Sequence, residues 1–245
     1  MQSQSDESTS LPRVVVRPVA VGSDGADWPE VVLRHGERPT DAAVRAVRTV
    51  DGRAVEVLRP VSVDHALVGG VSVLTVELAV QLGTTTRPFA NFVAPAVGAV
   101  LFRRLAAYAV VLFEGRVLLT QLSKDTPAPG AWTLPGGGID PGESPLHAVL
   151  REVHEETAHE LVDPRLLDVD ATHFTGRSPS GRLEDFHGIG VIYCAQVREA
   201  FEPRVIEVGG STVAAAWVPL DRLPGVQMSD RSRERLTRVL RLVTA

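Results

Sequence analysis

The most constraining feature of the chain is the stretch Gly137 to Thr157, which reads GGIDPGESPLHAVLREVHEET. A glycine loop, Gly136-Gly137-Gly138, runs into a segment whose pattern predicts a helix from about Pro145 to Thr157. Ser144 has an N-capping side chain, and Pro145 suits the first helical position, where a missing N–H costs nothing. On that helix Glu152, Glu155 and Glu156 stand at i, i+3 and i+4 and share one face. Leu146, Val149, Leu150 and Val153 fall on the adjoining face and are expected to pack inward, and Ala148 leaves the acidic face unobstructed. Three carboxylates within one turn repel one another. A hard divalent cation that prefers oxygen relieves the repulsion; Mg²⁺ suits phosphate-bearing substrates best, with Mn²⁺ the alternative.

Gly137, Glu143, Arg151, Glu152, Val153, Glu155 and Glu156 follow the spacing G-x5-E-x7-R-E-V-x-E-E. That spacing resembles the Nudix box, which continues with one free position, a glycine and an aliphatic residue. The resemblance implies that Glu152, Glu155 and Glu156 are the catalytic, metal-binding carboxylates, joined by the backbone carbonyl of Gly136. It makes Glu143 and Arg151 a structural ion pair that fixes the loop against the helix. It also implies an α+β fold over about 104–245, a mixed sheet sandwiched between helices, preceded by a smaller α/β domain.

The implied reaction is metal-dependent hydrolysis of a diphosphate linkage in a nucleoside diphosphate derivative: a nucleotide sugar, ADP-ribose or a nucleoside triphosphate. A bound ion acidifies water and neutralises the diphosphate, and a carboxylate removes the proton from the attacking water. The general base stays unassigned. The alternative is a regulatory protein that binds a nucleotide metabolite with little turnover.

Two positions depart from the pattern. Ala158 stands at the last glycine and His159 at the final aliphatic position. A glycine there would end the helix with positive φ, which alanine tolerates less well. The family often places a further acidic residue before the last sheet strand; the candidates here are Glu202 and Glu207.

Trp132 could stack on a nucleobase or pack as a strand residue. Arg177 and Arg182 flank the polar loop T-G-R-S-P-S-G-R, with His173 and His187 nearby, and are the candidate phosphate or ribose contacts. Cys194, alternating with apolar neighbours, reads as a core residue. As the sole cysteine it excludes an intrachain disulfide and a cysteine-cluster metal site, which suits a cytoplasmic protein.

The 245 residues are 44% hydrophobic and 22% charged, a globular composition. A net charge of −5 gives no basic surface for nucleic acid, and no apolar run is long enough to span a membrane. The expected partner is a nucleotide-like small molecule, with a homodimer as the candidate assembly. Residues 1–11 read as a disordered tail and 83–103 as a linker. Strands are expected around Val14–Val21, Val31–Leu33, Val55–Val63 and Val71–Val80, with a helix at Pro39–Val50. After the linker come a hairpin turning at Glu114-Gly115, strands at Trp132–Leu134, Gly188–Val197 and Ala214–Val218, and a closing helix at Asp230–Val243 with solvated arginines.

The expected N-terminal domain, 12–82, contains an echo. Residues 36–52, GERPTDAAVRAVRTVDG, align without gaps on 142–158. Gly36, Glu37, Pro39, Ala42, Arg45 and Val47 match, while Ala46, Thr49 and Val50 replace the three glutamates. This suggests a tandem arrangement, a degenerate metal-free unit before an active one, serving packing, dimerisation or substrate gating.

Overall fold

The computed structural model describes residues 10–21, 27–83, 96–178 and 181–244. Most of the expected tail and linker, and Pro179-Ser180 of the polar loop, lie outside them. Among the described residues no helix is long and apolar enough to cross a membrane.

The N-terminal half builds a four-stranded sheet. Alternation in β1 (Arg13–Ala20) buries Val14 and Val16 and leaves Arg13 and Arg17 exposed. β1 lies between β2 (Val31–Val32), antiparallel, and β4 (Val71–Gly83), parallel; β3 (Ala54–Val68) pairs antiparallel with β4. Between β2 and β3 runs α1 (Pro39–Arg48), which buries Ala42, Ala43, Ala46 and Val47. The order is β2-β1-β4-β3.

The C-terminal half is a larger mixed sheet. Its strands are β5 (Val100–Phe113), β6 (Arg116–Leu122), β7 (Trp132–Thr133), β8 (Gly136–Gly138), β9 (Leu161–Arg177), β10 (Leu183–Val197) and β11 (Thr212–Pro219). Its helices are α2 (Pro145–Thr157) and α3 (Asp230–Thr244), with a 3₁₀ turn at Leu220–Gly225. The sheet runs β11-β6-β5-β10-β9, with β8 on β5 and β7 on β6. Val100 to Arg103, expected in the linker, begin β5.

The halves repeat one plan. β8-β5-β10-β9 has the order and strand directions of β2-β1-β4-β3, and the helix follows the short strand in both. Leu33 donates its N–H to the Val14 carbonyl at 2.8 Å, and Ile139 to the Leu105 carbonyl at 3.1 Å. Glu37 pairs with Arg45 at 2.8 Å as Glu143 pairs with Arg151 at 3.0 Å. One apolar cluster runs through both halves, joining Val14, Val47, Leu74 and Val76 to Leu105, Val149, Val153 and Ile189. A second cluster seats α3 through Leu236 and Val239 on Val110, Leu119 and Ile192.

Two details differ from expectation. β9 was not foreseen, because Pro164 and the charges of L-V-D-P-R-L-L-D-V-D-A break a strand pattern. β9 is an edge strand, where proline is tolerated, and the ladder to β10 shifts register close to it. The α3 arginines were expected to be solvated. Arg231, Arg238 and Arg241 are exposed, but Arg235 is half-buried against Asp170 at 2.8 Å, Arg238 bonds Asp168 and Asp170, and Arg231 lies 3.6 Å over the Phe174 ring.

Helix α2 ends on Ala158, held at φ 64°. Alanine pays a steric cost in that region that glycine avoids, partly offset by the unfolded-state entropy of glycine. Ala158→Gly is therefore expected to stabilise the chain by about 0.5–1 kcal/mol, seen as a rise of roughly 2 °C in Tm. A fall in Tm would contradict this account.

Candidate active site

Local sequence builds the site frame. Ser144 caps α2, its hydroxyl accepting from the His147 N–H at 3.1 Å. The chain before it forms a glycine loop that tolerates no side chain at two points. Gly136 has φ 136°, and a Cβ there would overlap the carbonyl of Ala107 on β5. At Gly137 a Cβ would lie 2.5 Å from the Glu152 carboxylate, so the bare backbone lets Glu152 lie against the loop.

Arg151 organises the charges. Its Nε and Nη2 donate to the two oxygens of Glu143, each at 3.0 Å, and Nη2 also donates to the Gly138 carbonyl at 3.1 Å. Nη1 donates to Glu152 at 3.0 Å and to Glu155 at 3.1 Å. The repulsion foreseen among the carboxylates is thus partly met within the protein. Burial raises the Glu152 pKa, against the pull of Arg151.

Glu156 is held differently. It is buried and accepts the Gly136 N–H at 2.9 Å and a short hydrogen bond from the Thr212 hydroxyl on β11. Burial pushes its pKa up to about 7, with the Glu152 charge adding and the two hydrogen bonds opposing. The three glutamates thus belong to one connected patch: Glu152 and Glu155 share Arg151, and Glu152 acts electrostatically on Glu156. Their donor set is oxygen only, against a loop stripped of side chains, and it fits a hard divalent cation.

The other predicted residues scatter. Trp132 packs half-buried on the α3 cluster rather than facing the box. Arg177 donates to the Gly181 carbonyl at 2.7 Å, and Arg182 pairs with Glu184. Both sit at the β9–β10 turn. Leu183, opposite Arg177, is nine residues along β10 from Ile192, which lies beside Tyr108 and hence Gly136. That separation is about 30 Å from Gly136, and about 23 Å from Gly138, which is level with Gly190, so the turn that carries both arginines lies well away from the glycine loop. Glu207 comes closer: its N–H bonds the Glu155 carbonyl at 3.1 Å, while its side chain folds onto Gly210. Cys194 is half-buried. His159 fills the aliphatic box position as a fully buried neutral ring, stacked 4.2 Å from Phe201, its pKa lowered by burial.

Sequence reasoning missed Arg104. It is exposed on β5, with its guanidinium 3.7 Å from where a Gly138 Cβ would stand, and its charge acts on Glu152. It also missed Thr212 and a cleft of about 490 Å³ that Thr212 borders with Ser123, Lys124, Asp125 and Gly210. No spacing rule relates these positions to the box, because they reach it through sheet pairing.

The geometry agrees with comparisons to known proteins. The family model described as NUDIX domain matches residues 102–241. A Bacillus subtilis (strain 168) protein with the provisional name 8-oxo-dGTP diphosphatase is 30% identical over 128 residues, covering 52% of this chain and 74% of that protein. The nucleoside triphosphatase NudI of Escherichia coli O1:K1 / APEC is 28% identical over 130 residues, covering 50% and 86%. Among solved structures, a MutT NUDIX hydrolase from Burkholderia pseudomallei is 30% identical with a TM-score of 0.43, covering 56% of this chain and 98% of that one. The family match defines a Nudix hydrolase. The chain belongs to the Nudix family, whose members generally use divalent metals.

Glu156 gives the metal-free site a defined pH signature. Its folded pKa, near 7, lies above the ordinary carboxylate value of 4.5, so the folded state holds the proton more tightly. Its contribution to stability is fully present below about pH 4.5 and is lost as pH rises through 7. In chelator, the stability of wild type minus that of Glu156→Gln is expected to fall by about 2–4 kcal/mol from pH 4.5 to pH 8 in urea titrations. The subtraction cancels the histidines. A flat difference would show that the carboxylate is not held as described.

Proposed function

We propose that the chain is a Mg²⁺-dependent pyrophosphohydrolase that cleaves the diphosphate linkage of a nucleoside diphosphate derivative. The observation that carries this is the oxygen-only patch of Glu152, Glu155 and Glu156, set by one arginine against a loop that excludes side chains. Those glutamates and the Gly136 carbonyl would hold the ion; Mn²⁺ would serve in its place. When bound, the ion supplies charge neutralisation at the diphosphate and a more acidic water.

The chain's own groups do the rest. Arg151 fixes Glu152 and Glu155 and keeps the loop closed on the helix. Glu155 is the most open of the three, its side chain 35% exposed, and a water can reach it to surrender a proton. Arg104, at the loop, contacts the phosphates. The cleft beside Thr212, with Lys124 on its wall, takes the nucleoside or the group linked to it. The nucleotide substrates in the names of the relatives from B. subtilis and E. coli favour this class of molecule.

The N-terminal half, we also infer, is a degenerate copy of the same unit. It keeps the ion pair and strand plan and holds Ala46, Thr49 and Val50 where the glutamates stand, so its role is packing against the active half.

The test is product release from a panel of nucleoside triphosphates, ADP-ribose and nucleotide sugars, with Mg²⁺ and with chelator. Glu152→Gln and Glu155→Gln are each expected to lower kcat/KM at least about 100-fold. Arg104→Ala should raise KM about tenfold, a loss of about 1.4 kcal/mol, with kcat nearly unchanged. Turnover indifferent to Glu155→Gln would reject the mechanism. Tight binding of one nucleotide without turnover would replace it with the sensor reading.

A further inference from the structure

A second constellation lies where the two halves meet. His35 sits in the turn between β2 and α1, His173 on β9, and Asp185 on β10 opposite Thr175, two residues along from His187, the ladder partner of His173. Nε2 of His35 lies 2.8 Å, and Nε2 of His173 2.5 Å, from the same carboxylate oxygen, Oδ1 of Asp185. The three ligand atoms all lie within 4.8 Å of one another. The side chains are 9%, 16% and 1% exposed.

The surroundings divide the work as outer groups of metal sites do. Oδ2 of Asp185 is engaged by the Ala96 N–H at 3.0 Å and the Thr175 hydroxyl at 3.3 Å, which orient the carboxylate and leave Oδ1 to the histidines. The neighbouring His187 is fully used. Its Nδ1 accepts from the Gly36 N–H, and its Nε2 donates to the Glu37 carbonyl, so it braces the turn that carries His35. Burial lowers the His35 pKa, against the pull of Asp185. Burial alone would raise Asp185, but the Ala96 amide and the two histidines outweigh it and bring the carboxyl to about 2.

Joining the halves does not itself require these residues. The box alignment sets Pro141 against His35. The sheet registers set Leu74 against Ile189, hence Gly70 against Asp185 and Leu67 against His173. Leu67 indeed approaches Gly142, as His173 approaches Gly36. Two equivalent contacts thus join the halves: one holds Pro141, Gly70 and Leu67 at these positions, and the other carries two imidazoles and a carboxylate.

We propose that His35, His173 and Asp185 form a site for a late first-row divalent ion of the Zn²⁺ class, clasping the N-terminal half to the β9–β10 hairpin. Imidazole-rich donors favour Zn²⁺ over Mg²⁺, and three protein ligands leave a fourth position for water. Asp185 lies five residues along β10 from Gly190, which is level with Gly138, so this site stands about 17 Å or more from the box and shares no side chain with it.

The experiment uses the full chain with Glu152→Gln and Glu155→Gln already in place, so that the box does not compete for metal. It is purified without chelator, assayed for bound metal, then stripped and titrated with Zn²⁺ against a chromophoric chelator and with Co²⁺ by visible absorption. One equivalent of Zn²⁺ is expected, with a four-coordinate Co²⁺ spectrum. Adding His173→Gln or Asp185→Asn should weaken Zn²⁺ binding at least about 100-fold and remove that spectrum. Should those variants fail to fold, the parent chain decides alone. No stoichiometric Zn²⁺ and no tetrahedral Co²⁺ signal overturns the proposal, as does Zn²⁺ binding unchanged by His173→Gln.

Discussion

The box depends on one guanidinium. Arg151 donates to Glu143, to the Gly138 carbonyl and to two of the three glutamates that would otherwise face one another across a turn of helix. An isolated surface ion pair contributes little, about 0–1 kcal/mol. Here the contact with Glu143 is bidentate and the arginine is two-thirds covered, so geometry rather than raw attraction is what it supplies. With Arg151 in place the loop cannot swing from α2. Gly137 then lies on the Glu152 carboxylate, and Gly136 presents its N–H to Glu156.

The N-terminal half offers a natural control on that reading. There the frame survives without the chemistry. Arg45 donates to both oxygens of Glu37 and to the Val32 carbonyl, as Arg151 does to Glu143 and the Gly138 carbonyl. The glutamate of each pair also accepts an N–H three residues back, from Arg34 and from Asp140. No carboxylate stands at positions 46, 49 and 50 to be organised. An ion pair that stands in one half without an acidic patch beside it shapes a loop by itself.

What the sequence disclosed follows how far apart the cooperating residues lie. Ser144, Glu143, Arg151 and the three glutamates fall within 14 positions, and helix periodicity places them without reference to the rest of the chain. The echo at 36–52 was legible for the same reason. β9 was hidden because an edge strand can carry Pro164 and a run of aspartates that pair with α3, and propensity registers neither circumstance. Arg177 and Arg182 looked promising from composition, but strand register carried them to the far end of the hairpin. Thr212, Arg104 and the cluster of His35 with Asp185 join residues about 34 to 150 positions apart, and only the tertiary fold brings them together.

The same pairing ties the halves into one unit. The carbonyl of Glu37 meets Nε2 of His187 at 3.0 Å, and the carbonyl of Glu143 meets Nδ1 of His65 at 2.6 Å. Each half thus holds the other's loop at the residue after its turn glycine. The buried Arg103 reinforces this by donating to the Pro12 and Leu33 carbonyls. Loops that carry chemistry tend to be among the least stable parts of a fold. Here the loop that lies against the acidic patch is braced from outside by a partner built on the same plan. The N-terminal half thus contributes, through His65, to the geometry of the loop that lies against the acidic patch.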